Sequence, residues 1–285
     1  MPAVLHKTAQ VDGVKIFYRE AGSPSSPGLL LLHGHASASH TFRNIIPGLA
    51  DSFHVVAPDY PGFGNSDRPD AKSYTYTFEN IAKTLEKLTE QIGVTKYYLY
   101  IFDFGGPIGG WMFEHHPDKV LGLFTQSGNL YVEGISEDIG KQLGGLWKDP
   151  HGQAAIDGVK HILEPHGIAW AYTNIPNPER VAPEAPDLDA YYTTRPGAQE
   201  IQLDLLRDYQ NVPPKYGDWQ KLIREHKPKI VARWGEHDPF FRPPGAEAFK
   251  TDSPNADVKI IPDGGHFLNE THPEEIIAGL KKLLA

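Results

Sequence analysis

Three titratable residues sit in sharp turns flanked by glycine: Asp103 in Tyr100-Ile101-Phe102-Asp103-Phe104-Gly105-Gly106, Asp238 in Trp234-Gly235-Glu236-His237-Asp238-Pro239, and His266 in Gly264-Gly265-His266-Phe267. Acid, acid and histidine in that chain order are the residue types that a nucleophile, an orienting carboxylate and a general base require. Taken singly, each acid has a plainer explanation. Asp103 could cap the helix that opens at Gly105, since aspartate is a good N-cap, and Asp238-Pro239 is an ordinary turn former. Position joins the three: each comes just after a run that reads as a strand, and ligands of open parallel α/β sheets bind outside the carboxyl ends of the strands.

The elements that must position them can be read from the same runs. Residues 14–19 read as a strand, 29–32 form a continuous apolar run ending in His33-Gly34, and 54–57 form another ending in Pro58-Asp59-Tyr60-Pro61-Gly62. Residues 97–102, 120–125, 229–234 and 258–261 continue the series. Continuous apolar strands imply burial on both faces. Between them Ile81, Leu85, Leu88 and Ile92 recur at helical spacing and stop at Gly93, residues 105–115 have helical character, and an amphipathic helix opens at Pro273. Alternating strand and helix is the pattern of a mostly parallel sheet with helices on both faces. After Gly128 the pattern changes to helical patches, aromatic residues and breaks at Pro176, Pro178, Pro183, Pro186 and Pro213-Pro214. We therefore expect an α/β core made of residues 1–128 and 217–285, interrupted by a mainly helical lid at 129–216.

Composition removes several function classes. The 285 residues carry 27 Lys and Arg against 36 Asp and Glu, a net charge of −9 without a basic block, which disfavours nucleic acid and anionic membrane surfaces as partners. There is no cysteine, so disulfides, thiolate zinc sites and a cysteine nucleophile are excluded. A chain of this length buries roughly three quarters of its unfolded surface and needs no such staple. The absence of an apolar leader or a membrane-length apolar run gives a soluble cytoplasmic protein as the expectation. His33, His35 and His40 lack an acidic ligand within their stretch, and Gly105-Gly106-Pro107-Ile108-Gly109-Gly110 fails the spacing of a dinucleotide loop, so no metal or cofactor is expected.

His33-Gly34 after a strand, the segment Pro58-Asp59-Tyr60-Pro61-Gly62-Phe63-Gly64-Asn65-Ser66-Asp67, the Asp103 turn, Trp234 to Pro239 and Gly265-His266-Phe267 together resemble the α/β-hydrolase fold enzymes. With aspartate in the turn after the strand, the subgroup resembled is the epoxide hydrolases and haloalkane dehalogenases. The resemblance implies Asp103 as nucleophile, His266 as base and Asp238 as the acid orienting His266, with the backbone N–H groups of His35 and Phe104 forming an oxyanion hole. A carboxylate is ionised at neutral pH and needs no base to attack. Attack on an epoxide or halide carbon yields an alkyl ester on the enzyme, whose hydrolysis His266 then promotes by activating water. The lid offers Tyr131, Tyr172, Tyr191, Tyr192 and Tyr209 to protonate a departing alkoxide, with Tyr209 preferred and Tyr172 next.

A departing halide needs N–H donors instead, and Phe104 and His35 both depart from the dehalogenase pattern; Trp147, Trp170 or the His35 imidazole are the substitutes the sequence offers. His33-Gly34-His35-Ala36 also departs from the His-Gly-x-Pro common in epoxide hydrolases. The expected partner is a small, mostly apolar substrate. Epoxide opening is the leading expectation and carbon–halogen hydrolysis the alternative. A small-molecule sensor on the same fold is a third reading, of another class.

Overall fold

The computed structural model describes residues 3–285. Eight strands form one sheet in the order β1-β2-β4-β3-β5-β6-β7-β8. These are β1 (Leu5–Val11), β2 (Val14–Ala21), β3 (Gly28–Leu32), β4 (His54–Pro58), β5 (Tyr97–Phe102), β6 (Val120–Gln126), β7 (Lys229–Gly235) and β8 (Asp257–Ile261). β2 is antiparallel to β1 and β4, and every later pairing is parallel. The carboxyl ends of β3 to β8 therefore lie along one edge.

β3 and β4 are buried throughout, as continuous apolar runs require of central parallel strands. Their alternate residues feed two cores. Leu30, Leu32, Val56, Leu99 and Ile101 face one side, against α2 (Phe78–Gln91) and α3 (Gly105–His115). Leu29, Leu31, Val55, Tyr100 and Phe102 face the other, against α1 (Ile46–Leu49) and the C-terminal helices α11 (Leu268–Thr271) and α12 (Pro273–Lys281). α2 begins where the Thr77 side chain accepts from Asn80 N–H, and Gly93, at φ 79°, follows its end. The remaining core helix, α10 (Pro244–Asp252), lies between β7 and β8.

β1 has no counterpart among the expected strands. Its first four residues are exposed, so it has no apolar face to announce it, yet Asp12 and Gly13 at positive φ make the two-residue hairpin turn that joins it to β2. Between β6 and β7 run α4 (Glu137–Lys148), α5 (Gln153–Leu163), α6 (Pro165–Thr173), α7 (Glu184–Thr193), α8 (Ala198–Asp208) and α9 (Tyr216–His226), with no strand among them. α9 packs against α3, where the Trp219 ring fills the space that a side chain at Gly110 would need. No helix among the described residues is long and apolar enough to cross a membrane.

Candidate active site

Asp103 follows β5 and holds φ at 50°, a left-handed conformation that costs a non-glycine residue about 1–2 kcal/mol. The turn is possible because Gly105 passes so close to β3 that a Cβ there would lie 2.3 Å from the Leu32 carbonyl oxygen. Gly34 is equally constrained: a Cβ on it would sit 2.4 Å from the Asp103 Cβ. Strain and close approach together lift the carboxylate clear of the strand ends.

The two carboxylate oxygens are in different surroundings. Oδ1 accepts the His35 backbone N–H at 2.5 Å, whereas Oδ2 lies 3.7 Å from His266 Nε2. No bond from the Phe104 N–H to this carboxylate is formed, so of the two amides that the sequence suggests, His35 alone reaches it. His266 Nδ1 lies 2.9 Å from Asp238 Oδ2, and Asp238 is wholly buried. The same Oδ2 accepts from Ser127 Oγ at 2.5 Å, and Oδ1 accepts the backbone N–H groups of Phe240 and Phe241. Four donors thus fix one carboxylate. As it accepts only, the His266 Nδ1 proton points at it, leaving Nε2 toward Asp103.

Burial alone would lower the His266 pKa. The charge and hydrogen bond of Asp238, with the charge of Asp103, outweigh that and hold it above the ordinary value of 6.5. The loops carrying the ring and its partner are tied together: Glu236 N–H donates to the Ile261 carbonyl and His237 N–H to the Gly264 carbonyl. Gln126 Nε2 holds the His266 carbonyl at 2.9 Å. Ser127 and Gln126 were not singled out from the sequence, and neither stands in a recognisable motif. Ser127's positive φ of 53° at the end of β6 is a structural signal only.

Asp103, His266, His35 and Phe104 line a cavity closed by side chains from the segment between β6 and β7, including Ile139, Leu143, Ile168 and Leu206. Tyr209 lines it too. Its buried hydroxyl lies 3.4 Å from that of Tyr216, which also takes a bond from Asn129. Burial, the neighbouring Tyr216 and the Asp103 charge push Tyr209 well above the usual phenol range, so it is a proton donor at neutral pH.

The other candidates either lie outside the cavity or have their donors engaged. Tyr172 stacks on Phe267 at 3.6 Å and donates to Asp189 Oδ2, so its ring is a packing element outside the cavity wall. Trp170 is 48% exposed and does not line the cavity. Trp147 does line it, but its indole N–H is bonded to the Leu206 carbonyl. The His35 ring likewise directs Nε2 at the Ile162 carbonyl, 2.9 Å away. His33 is structural: stacked on Tyr60 at 3.8 Å, it is pushed by burial down to about 3 and stays neutral. Asp59, in the long loop motif, accepts the backbone N–H groups of Ser39 and Asn65 and joins those loops.

An open, mostly parallel sheet with acid, acid and histidine at its strand ends defines a class of hydrolytic enzyme, and comparison with known proteins agrees with it. Residues 27–273 match the family model of the alpha/beta hydrolase fold, and the chain belongs to that family, as a hydrolase of the α/β-hydrolase superfamily. It is 38% identical over 285 residues to an uncharacterized hydrolase of Saccharomyces cerevisiae, YNR064C, covering 97% of each chain. A haloalkane dehalogenase of Bradyrhizobium diazoefficiens is 38% identical over 117 residues, 41% of this chain and 37% of that protein. Among solved structures, the epoxide hydrolase CorEH superposes with a TM-score of 0.78 at 21% identity, covering 99% of both chains.

Proposed function

We propose that this hydrolase opens epoxides to diols through a covalent ester on Asp103, and that residues 129–216 act as the cap that closes over the substrate. One observation carries this reading: the Asp103 carboxylate has one oxygen held by an amide and the other free beside His266, in a cavity whose further proton donor is Tyr209. In the first step Asp103 Oδ2 attacks a ring carbon, the C–O bond of the ring breaks, and the departing oxygen takes the Tyr209 proton. In the second step His266 Nε2 removes a proton from water, whose oxygen attacks the ester carbonyl carbon. The oxyanion that forms is held by the His35 N–H; its collapse expels the diol oxygen, which takes back the proton held by His266, while the second proton of the water leaves the restored Asp103 carboxylate and returns through solvent to Tyr209. One preorganised oxyanion donor of this kind is worth about 2.7–4 kcal/mol.

Ester formation also prepares the second step. It removes the Asp103 charge that helps His266 retain a proton, so the ring becomes a readier base once the intermediate exists. Carbon–halogen hydrolysis by the same residues is the second reading, favoured by the similarity to the dehalogenase. Against it, Phe104 has no side-chain donor, and the Trp147 and His35 N–H groups are already bonded to carbonyls.

The test replaces His266 by alanine, so that the ester forms but is not hydrolysed, and looks for an adduct on the Asp103 peptide by mass spectrometry. An adduct from epoxides supports the reading, and one from haloalkanes with halide release replaces it by the second. Binding without any adduct points to a sensor.

A further inference from the structure

The His35 imidazole is in an unusual position for a polar ring. Its Nε2 faces the Ile162 carbonyl at 2.9 Å, and a carbonyl only accepts, so the ring proton is on Nε2. Burial pushes the ring's pKa below its ordinary value despite the nearby Asp103, so it is neutral at physiological pH and Nδ1 carries a bare lone pair. That Nδ1 is buried and no protein group donates to it. The ring belongs to the residue whose own N–H holds the Asp103 carboxylate, and it lies 5.4 Å from the Phe104 ring, centroid to centroid. It lines the same cavity as Asp103 and His266.

Most of that cavity wall is aliphatic or aromatic. A buried acceptor left unpaired in such a wall lowers affinity by about tenfold to a hundredfold relative to one that a ligand satisfies. Building on the epoxide reading, we propose that His35 Nδ1 accepts a hydrogen bond from the substrate, and that the preferred substrates are epoxides bearing a hydroxyl or N–H group on the carbon next to the ring. The tail beyond that group is apolar, to match the aliphatic wall. His35 acts here as a specificity residue through its side chain, separately from its backbone N–H.

The opposite preference follows if the apolar wall alone selects substrate, since a methyl group should then be held better than a hydroxyl. The test is a matched pair, trans-2,3-epoxyhexan-1-ol and trans-3,4-epoxyheptane, which differ by hydroxyl against methyl. We expect the ratio of kcat/KM values to favour the alcohol at least tenfold in the natural chain. It should fall to one or below in His35→Phe, and be partly kept in His35→Gln, whose amide can donate to Ile162 and still offer an acceptor.

A ratio near one in the natural chain, or one unchanged in His35→Phe, overturns the proposal. If His35→Phe does not fold, the natural chain labelled with ¹⁵N-histidine decides. The Nδ1 resonance of His35 should move toward the hydrogen-bonded range with hexane-1,2,3-triol, the epoxy alcohol's hydrolysis product, and stay put with heptane-3,4-diol, and equal shifts overturn the proposal. Trapping in His266→Ala separates the two levels. Adducts from both epoxides without discrimination sink only the His35 role, whereas no adduct from either removes the epoxide reading and this inference with it.

Discussion

At the scale of single residues, the site depends on how two anions share one histidine. Asp238 is saturated with donors and keeps its charge on His266 throughout, while the Asp103 charge is present only in the resting state of the proposed cycle. The raised pKa of His266 rests partly on Asp103, so Asp103→Asn, an uncharged mimic of the ester, should titrate His266 at lower pH than the natural chain does. Only the neutral ring is a base, so kcat rises with pH through the pKa of the ester state. Its acid limb should therefore lie below the value measured on the free enzyme. NMR titration of the His266 ring in both chains, beside a pH–kcat profile, reads both effects. A ring that titrates identically in the two chains would remove Asp103 as a cause. Asp103, Asp238 and His266 were legible in the sequence because each stands in a glycine-flanked turn after a strand. Tyr209 is preferred over Tyr172 in the sequence only through the family resemblance and not through any turn of its own: both are aromatics in helical segments, and the tertiary packing sends one to the cavity and the other to Asp189.

At the scale of elements, the site is a set of strand ends held in register by close backbone contacts. Hydrophobic runs made the central strands legible, since burial on both faces leaves a continuous apolar signature. β1 escaped because its outer position leaves it polar, and Ser127 and Gln126 escaped because their roles come from which strand lies beside which. The contact between the loop after β3 and the turn after β5 is the tightest constraint on the chemistry. A methyl group on Gly34 would stand 2.6 Å from Asp103 Oδ1, inside the space that the His35 N–H bond needs. Gly34→Ala should therefore displace the carboxylate by a few tenths of an ångström or more while leaving the strands in place. A misplacement of about 1 Å can cost about 10²-fold in rate. We expect a loss of that order in epoxide turnover with an unchanged far-ultraviolet circular dichroism spectrum. Full activity in Gly34→Ala would mean that the two turns are less tightly coupled than their spacing implies.

At the scale of the whole molecule, the question is what holds the helices between β6 and β7 over the sheet. Apolar contacts line the cavity, and a buried polar link lies beside it. His40, in the short turn of helix at Ser39–Phe42 just beyond the His35 loop, places Nε2 2.6 Å from Asp189 Oδ1 on α7. Asp189 Oδ2 takes the Tyr172 hydroxyl at 2.6 Å, and Tyr172 stacks on Phe267, the neighbour of His266. Both His40 and Asp189 are buried, so removing one partner strands the other. Breaking such a buried pair costs about 3–5 kcal/mol, whereas replacing both members by apolar residues of similar volume is often neutral or stabilising. His40→Leu and Asp189→Leu should each lower stability by that amount in urea unfolding, and the double variant should recover most of it. Amide hydrogen exchange in α6 and α7 should quicken in the single variants before that of β3 and β5, because the helices are tied to the sheet through this link and the strands are not. If the double variant is as unstable as the sum of the singles, the two residues act independently. The helical segment is then held by its apolar contacts and by other polar links such as that from His35 to the Ile162 carbonyl.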